Sequence, residues 1–144
     1  MGLDNGIVMR SKIPIEVPCE LVRVSKSICS SYDKNYTFEY ELCYWRKCWN
    51  VRRAIGMALG TNLGEDASKN NLDVYDVKNI WHALNHLNSK RAWEAESDSI
   101  WTYKEIRDNL DCSLLTLEWV IYLMRNYSQL FKDGCICVEF YDSY

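Results

Sequence analysis

The sequence predicts an α+β fold in which a small, mostly antiparallel sheet of about three or four strands is covered by about three or four helices. A segment near the N-terminus contains β-branched residues that favour a strand, and a segment near the C-terminus alternates polar and apolar residues with the period of a strand. The segments between them repeat apolar residues every three or four positions, as amphipathic helices do. A chain of 144 residues has the length of one domain with its own core, so we assign residues 1–144 to a single domain.

Short runs with β-branched residues or strict alternation mark the strands. The predicted strands are Gly6–Arg10, Glu20–Val24, Thr37–Cys43 and Cys135–Tyr141. In the third of them, Phe38, Tyr40 and Leu42 are expected on one face and Cys43 on the other.

Helical spacing covers most of the remaining chain. The predicted helices are about Trp45–Leu59, a second that begins at Asp73 or Asp76, a short one at Trp101–Leu110, and a long one from Asp111 or Ser113 to about Tyr127. Gly60 is placed at the end of the first helix, and Thr102 with Glu105 suggests a capping box. The last helix is apolar on two sides, which predicts a homodimer or a position between two layers.

Composition and charge exclude several classes of protein. The net charge of -3 argues against non-specific coating of nucleic acid. The seven cysteines are odd in number, and no apolar run of signal-peptide length precedes them, so reduced thiols in a cytosol are expected. No stretch approaches the length that spans a membrane.

One segment, residues 44–53, concentrates basic and aromatic side chains. Wound as a helix, it places Arg46, Trp49, Asn50 and Arg53 on the side opposite its apolar stripe. Guanidinium groups beside an indole suit a planar anionic ligand. The alternative is an ordinary solvated helix face. The predicted ligand-binding residues of this segment are Tyr44, Trp45, Arg46, Lys47, Trp49, Asn50 and Arg53.

The N-terminus supplies two further candidates, Asp4 and Asn5, which precede the first predicted strand. A carboxylate and an amide at this position are typical of a turn before a strand. The functional alternative places both side chains at the edge of the pocket that the basic segment lines.

Metal and catalytic sites are weakly indicated. His82 and His86 have a spacing that can chelate a metal, although a solvated helix face is the simpler interpretation. Two pairs of cysteines, Cys43 with Cys48 and Cys135 with Cys137, lack the spacing of zinc ribbons. Neither a nucleophile beside a base nor a phosphate-binding glycine loop is evident. We therefore predict no enzyme, no metal and no cofactor.

Two motifs carry a resemblance to a known group. Met1-Gly2-Leu3-Asp4, followed by a strand that ends in Tyr44-Trp45-Arg46-Lys47, resembles small proteins of tailed phages and prophages. The segments Trp101–Ile106 and Phe140–Ser143 and the helix around Trp119 are also similar. Many members continue with Ala-Asn and a His, where this chain has other residues. The resemblance implies a phage-encoded accessory protein that acts in the host cytoplasm.

Three hypotheses follow for function. The first is a non-enzymatic binder that counters host defence, either by sequestering a nucleotide-like ligand or by inhibiting a defence protein. The second is a small enzyme acting on a nucleotide or nucleic acid, with Asp4 or a C-terminal carboxylate as base and Arg46 or Lys47 on the phosphate. The third is a structural oligomer with no ligand.

Overall fold

The computed structural model describes residues 4–18, 23–26, 36–46, 48–61, 67–89 and 103–143. These residues confirm the α+β fold: they form an antiparallel four-stranded sheet, in the order β2-β3-β1-β4, together with four helices. The elements are, in chain order, β1 (Asp4–Ser11), β2 (Arg23–Lys26), β3 (Phe38–Arg46), α1 (Trp49–Leu59), α2 (Val74–Ser89), α3 (Tyr103–Asn126), α4 (Ser128–Lys132) and β4 (Ile136–Ser143).

The N-terminal strand β1 is the centre of the sheet and pairs with β3 and β4 along its whole length. Its first residue, Asp4, lies opposite Arg46 on one side and Ser143 on the other. The pairing with β3 shifts between Ile7, which faces Cys43, and Val8, which faces Glu41. The intervening residue of β3 therefore forms a bulge, because two residues there oppose one.

This bulge corrects the predicted alternation of β3. Cys43 lies on the same face as Tyr40 rather than on the opposite face, and both side chains are buried. Strict alternation fails because the extra residue, Leu42, reverses the facing of every residue that follows it.

The helix boundaries differ from the predictions in two places. The first helix begins at Trp49 rather than Trp45, because residues 44–46 still pair with β1. The two helices predicted on either side of Asp111 are one continuous helix, α3, of 24 residues. The short helix α4 was not predicted. The proposed cap at Thr102 lies outside the described residues.

The core lies between the helices and one face of the sheet. Helix α2 packs between α1 and α3, and α3 also contacts β3. The side chains that are fully buried in this core include Ile7, Met9, Tyr40, Trp45, Ile55, Ile80, Leu84, Ile106, Leu110, Leu117 and Phe140. The helices therefore present their apolar stripes to one sheet face, which we call the covered face; the face turned away from them is the outer face.

A buried ion pair joins α1 to β4 inside this core. The Nε of Arg52 donates to both carboxylate oxygens of Asp142 at 3.0 and 3.1 Å, and Nη2 lies 2.9 Å from Oδ2. The backbone N–H of Ala67 donates to the same Oδ2 at 3.0 Å. These contacts compensate the charge of Asp142, whose side chain is 0% exposed.

Candidate functional site

Strand alternation divides the predicted binding residues between the two faces of the sheet. Asn5 and Trp45 lie opposite each other on the covered face, and both are 0% exposed. Asp4, Tyr44 and Arg46, which alternate with them along β1 and β3, lie on the outer face. The structure therefore places Asn5 and Trp45 in the core, away from any ligand on the surface, and brings the other three residues together.

The three outer residues form what we call the Asp4–Tyr44–Arg46 cluster. The hydroxyl of Tyr44 donates a hydrogen bond to Oδ1 of Asp4 at 2.9 Å. Arg46 lies directly opposite Asp4 in the pairing of β1 with β3, and its side chain is exposed. The cluster thus combines a carboxylate, a phenol and a solvent-accessible guanidinium on two adjacent strands.

The phenol of Tyr44 is kept protonated in this arrangement. Its pKa is raised, first by partial burial and then by the hydrogen bond to Asp4 and the negative charge of that carboxylate. The nearby guanidinium of Arg46 acts in the opposite direction. Tyr44 is therefore a neutral hydrogen-bond donor at physiological pH.

A second phenol, that of Tyr141 in β4, lies across Gly6 next to the cluster. A Cβ on Gly6 would come within 2.7 Å of the Tyr141 hydroxyl and 2.4 Å of the carbonyl oxygen of Cys43. Only glycine allows these atoms to approach so closely. Burial, followed by the negative charge of Glu41, raises the pKa of Tyr141 above its ordinary range. The sequence analysis did not select Tyr141. The alternation of β4 places Tyr141 on the face opposite to Asp142, and this pattern could have indicated its position.

Another arginine on the outer face is already neutralised by carboxylates. Arg10 lies between Glu39, 3.2 Å from its Nη2, and Glu139, 2.8 Å from its Nη1. All three side chains are less than a quarter exposed, at 17%, 24% and 22%. We therefore regard this triad as a structural ion pair network rather than a site for an anion.

The predicted basic face of the first helix does not form. Arg46 belongs to β3, so it cannot share a helix face with Arg53, which is exposed on α1. Trp49 and Asn50 are half-buried in the first turn of that helix and have contacts of their own. Arg52 was not among the predicted binding residues, and it is the arginine of this segment that is buried. Lys47 lies outside the described residues.

Several grooves among the described residues lie away from this cluster. One of about 570 Å³ is lined by residues 13–18 and by apolar and aromatic side chains that include Trp119, Tyr122 and Tyr127. Another of about 460 Å³ lies between α1 and α2 and is lined by both histidines. The residues of the Asp4–Tyr44–Arg46 cluster line neither of these two grooves.

The structure does not support the zinc site that was considered for the cysteines. Cys43 and Cys48 are buried, and burial raises the pKa of the Cys43 thiol to about 12. A thiol with that pKa stays protonated at neutral pH and is a poor nucleophile. In the part of the chain that the structure describes, groups of three or more His, Cys, Asp or Glu that could hold a metal are not found.

Comparisons with protein-family models, with curated proteins and with solved structures find no match to this chain. Among the helices that the structure describes, none combines the length and apolar character needed to cross a membrane.

Proposed function

We propose that the protein binds a small anionic, nucleotide-like ligand at the Asp4–Tyr44–Arg46 cluster and leaves it chemically unchanged. One observation carries the proposal: the hydrogen bond from Tyr44 to Asp4, with the exposed guanidinium of Arg46 on the adjacent strand. This replaces the broader basic face predicted from the sequence with three residues on two paired strands.

Each group of the cluster has a counterpart in a nucleotide. A guanidinium binds phosphate through two parallel N–H···O bonds. A carboxylate accepts hydrogen bonds from ribose hydroxyls, as acidic residues do in dinucleotide-binding folds. Tyr44 and Tyr141 are half-buried aromatic residues on this face, and aromatic rings are the groups on which bases stack. Together these groups favour a ligand that carries phosphate, sugar and base.

The biological setting of the proposal rests on the phage resemblance. A phage accessory protein that binds a nucleotide signal stoichiometrically would lower the signal's free concentration in the host. Defence enzymes that respond to such a signal would then stay inactive. In this setting, binding without turnover is sufficient for function.

Calorimetry against a panel of cyclic and ADP-ribose-type nucleotides tests the proposal. We expect stoichiometric binding of at least one of them, with the ligand recovered intact by mass spectrometry. Arg46→Ala should weaken that binding by roughly tenfold or more, because a charged hydrogen-bonding partner contributes about 1.5–3 kcal/mol. Asp4→Asn and Tyr44→Phe should weaken it as well.

The matched control is Arg125→Ala, which removes an exposed arginine from the far part of α3. Arg125 lies about 24 Å along the helix from Asn109, whose side chain contacts the backbone of Tyr44. Affinity should not change in this variant. Absence of heat with every nucleotide would overturn the proposal. Turnover that is lost in Asp4→Ala would favour the enzyme hypothesis instead.

A protein partner is the second candidate, and the apolar groove favours it. Ile13, Tyr122 and Tyr127 are 39%, 54% and 50% exposed around this groove. Aromatic residues at the rim of an apolar groove are common in protein interfaces. The partner is either a second copy of the chain, as the two-sided helix predicts, or a host defence protein that is inhibited.

Light scattering separates these two partners. A particle of twice the chain mass of 17.0 kDa that dissociates on Tyr122→Ser would support the homodimer. A monomer would leave the groove available to a host protein. Nucleotide binding at the Asp4–Tyr44–Arg46 cluster should be unaffected by this substitution.

A further inference from the structure

A pair of potential metal ligands on α2 is independent of the proposed nucleotide site. His82 and His86 are both exposed, and both line the groove of about 460 Å³ between α1 and α2. They are the only histidines of the chain. Residues four apart on a helix lie on the same side, with Cβ atoms about 5–6 Å apart. Both imidazoles can therefore reach a single ion above this groove.

The surroundings of the two imidazoles leave room for an ion. Small side chains line the groove beside them, namely Ala54, Ala58 and Ala83. Met57 of α1 lines the same groove and is 69% exposed, so its thioether is accessible. The ring of His82 also makes an edge contact with Trp81, at 5.1 Å between ring centroids and an interplanar angle of 87°.

The types of donor present select the class of ion. The residues lining this groove include no Asp or Glu, and the amide of Asn79 supplies their one side-chain oxygen, whereas Mg²⁺ and Ca²⁺ require several oxygen ligands. Neutral imidazole instead suits zinc, nickel and copper, and a thioether adds a preference for copper. Lys78, Glu118 and Arg125 border His82 from a separate groove towards α3 and do not line the side that faces α1.

We propose that His82 and His86 chelate one first-row transition metal ion, with Met57 as a further donor when the ion is copper. Water occupies the remaining coordination positions, because the groove is open to solvent. Such a site bridges two turns of α2, so metal binding stabilises that helix against unfolding.

NMR of the imidazole nitrogens tests the proposal, because it distinguishes metal bound to the histidines from metal bound to the cysteines. With only two histidines, the ring nitrogen signals of His82 and His86 can be assigned by His82→Gln and His86→Gln. Addition of Zn²⁺ should shift both sets of signals and saturate at one equivalent. Each single substitution should weaken Zn²⁺ and Ni²⁺ binding on the order of tenfold or more, and the double substitution should abolish it at this site.

Two further variants define the site. Cys112→Ser removes an exposed thiol and should leave the imidazole shifts unchanged. Met57→Leu should weaken copper binding and leave zinc binding unchanged.

Two results would overturn the proposal. One is that the imidazole signals do not respond to an equivalent of Zn²⁺ or Ni²⁺. The other is that metal binding persists in the double histidine variant, which would assign it to thiols. If Met57→Leu left copper affinity unchanged, Met57 would be excluded as a donor. The nucleotide titration is independent of all these outcomes.

Discussion

The two faces of the sheet differ most at the end where Asp4 pairs with Arg46. On the covered face, Asn5 and Trp45 are fully buried and Asp142 is held by a buried arginine. On the outer face, the neighbouring residues carry exposed or half-exposed polar groups that contact one another. Alternate residues of the same two motifs therefore serve different purposes: one set determines stability, and the other set is available for binding.

The largest expected change in the free energy of unfolding is that of Asp142→Ala, which acts on the covered face. The substitution removes the carboxylate that compensates the buried guanidinium of Arg52, and breaking a buried pair in this way costs about 3–5 kcal/mol. Urea unfolding followed by circular dichroism measures the loss. Asp108→Ala, which removes an exposed partner of Lys104, should leave the free energy of unfolding unchanged. A similar result for both variants would contradict the role of the buried pair.

Gly6→Ala should have the next largest effect on stability, because it disturbs the pairing of β1 with β3, on which both faces depend. The new Cβ would meet the carbonyl oxygen of Cys43 at 2.4 Å, and a backbone atom cannot move aside without disturbing the pairing of β1 with β3. We expect a loss of about 2–3 kcal/mol from this crowding. Gly60→Ala is the control: its Cβ meets no atom within 4 Å, and its positive φ of 69° accounts for a loss of about 1–2 kcal/mol without any crowding. Equal losses in thermal unfolding would argue against the close approach.

Asn5→Leu should act in the opposite direction. The side-chain nitrogen and oxygen of Asn5 are buried without a hydrogen-bond partner among the described residues. Replacing an unpaired buried amide with an apolar side chain of similar size removes its desolvation penalty, so stability should rise by about 1 kcal/mol. Urea unfolding is again the measurement. A loss of stability would indicate that buried water satisfies Asn5 in solution.

The smallest effect at neutral pH is expected for Tyr141→Phe on the outer face. Burial raises the pKa of Tyr141 in the folded state, so the fold favours the protonated phenol. This contribution is complete below the unfolded pKa of about 10 and is lost as the pH rises above it. Stability should therefore decline at alkaline pH, and less steeply in Tyr141→Phe. Parallel declines in the two proteins, measured by unfolding at several pH values, would contradict this assignment.

Much of the fold was predictable because burial follows a simple period. β-Branched residues located β1, alternation located β3 and β4, and apolar stripes located the three long helices. The division of α3 was wrong because Asp111 or Ser113 was interpreted as the start of a new helix, although Ser113 lies inside α3. Inside the helix, its hydroxyl donates to the carbonyl oxygen of Asn109 at 2.7 Å, so a polar residue is satisfied without ending the helix.

The candidate site was predictable only in part, because its geometry depends on contacts distant in sequence. The motif residues Asp4 and Arg46 were selected from the sequence, but their direct opposition depends on the pairing of β1 with β3. The helical period places Arg52 nearer the apolar stripe than Arg53, but the carboxylate that pairs with Arg52 belongs to Asp142, 90 positions away in the sequence. Local periodicity contains neither of these relations.

The segment 67–72 has a consequence for self-assembly of the sheet. Lys69 exchanges two backbone hydrogen bonds of 2.9 Å with Phe140, and Leu72 donates to the carbonyl oxygen of Val138 at 2.8 Å. The backbone N–H of Asp142 donates to the hydroxyl of Ser68 at 2.8 Å. Val138, Phe140 and Asp142 are the alternate residues of β4 whose backbone groups point away from β1. Their hydrogen bonds are thus made within the chain itself. The free edge of β4 is therefore protected against pairing with a strand of another molecule, the step that starts amyloid growth.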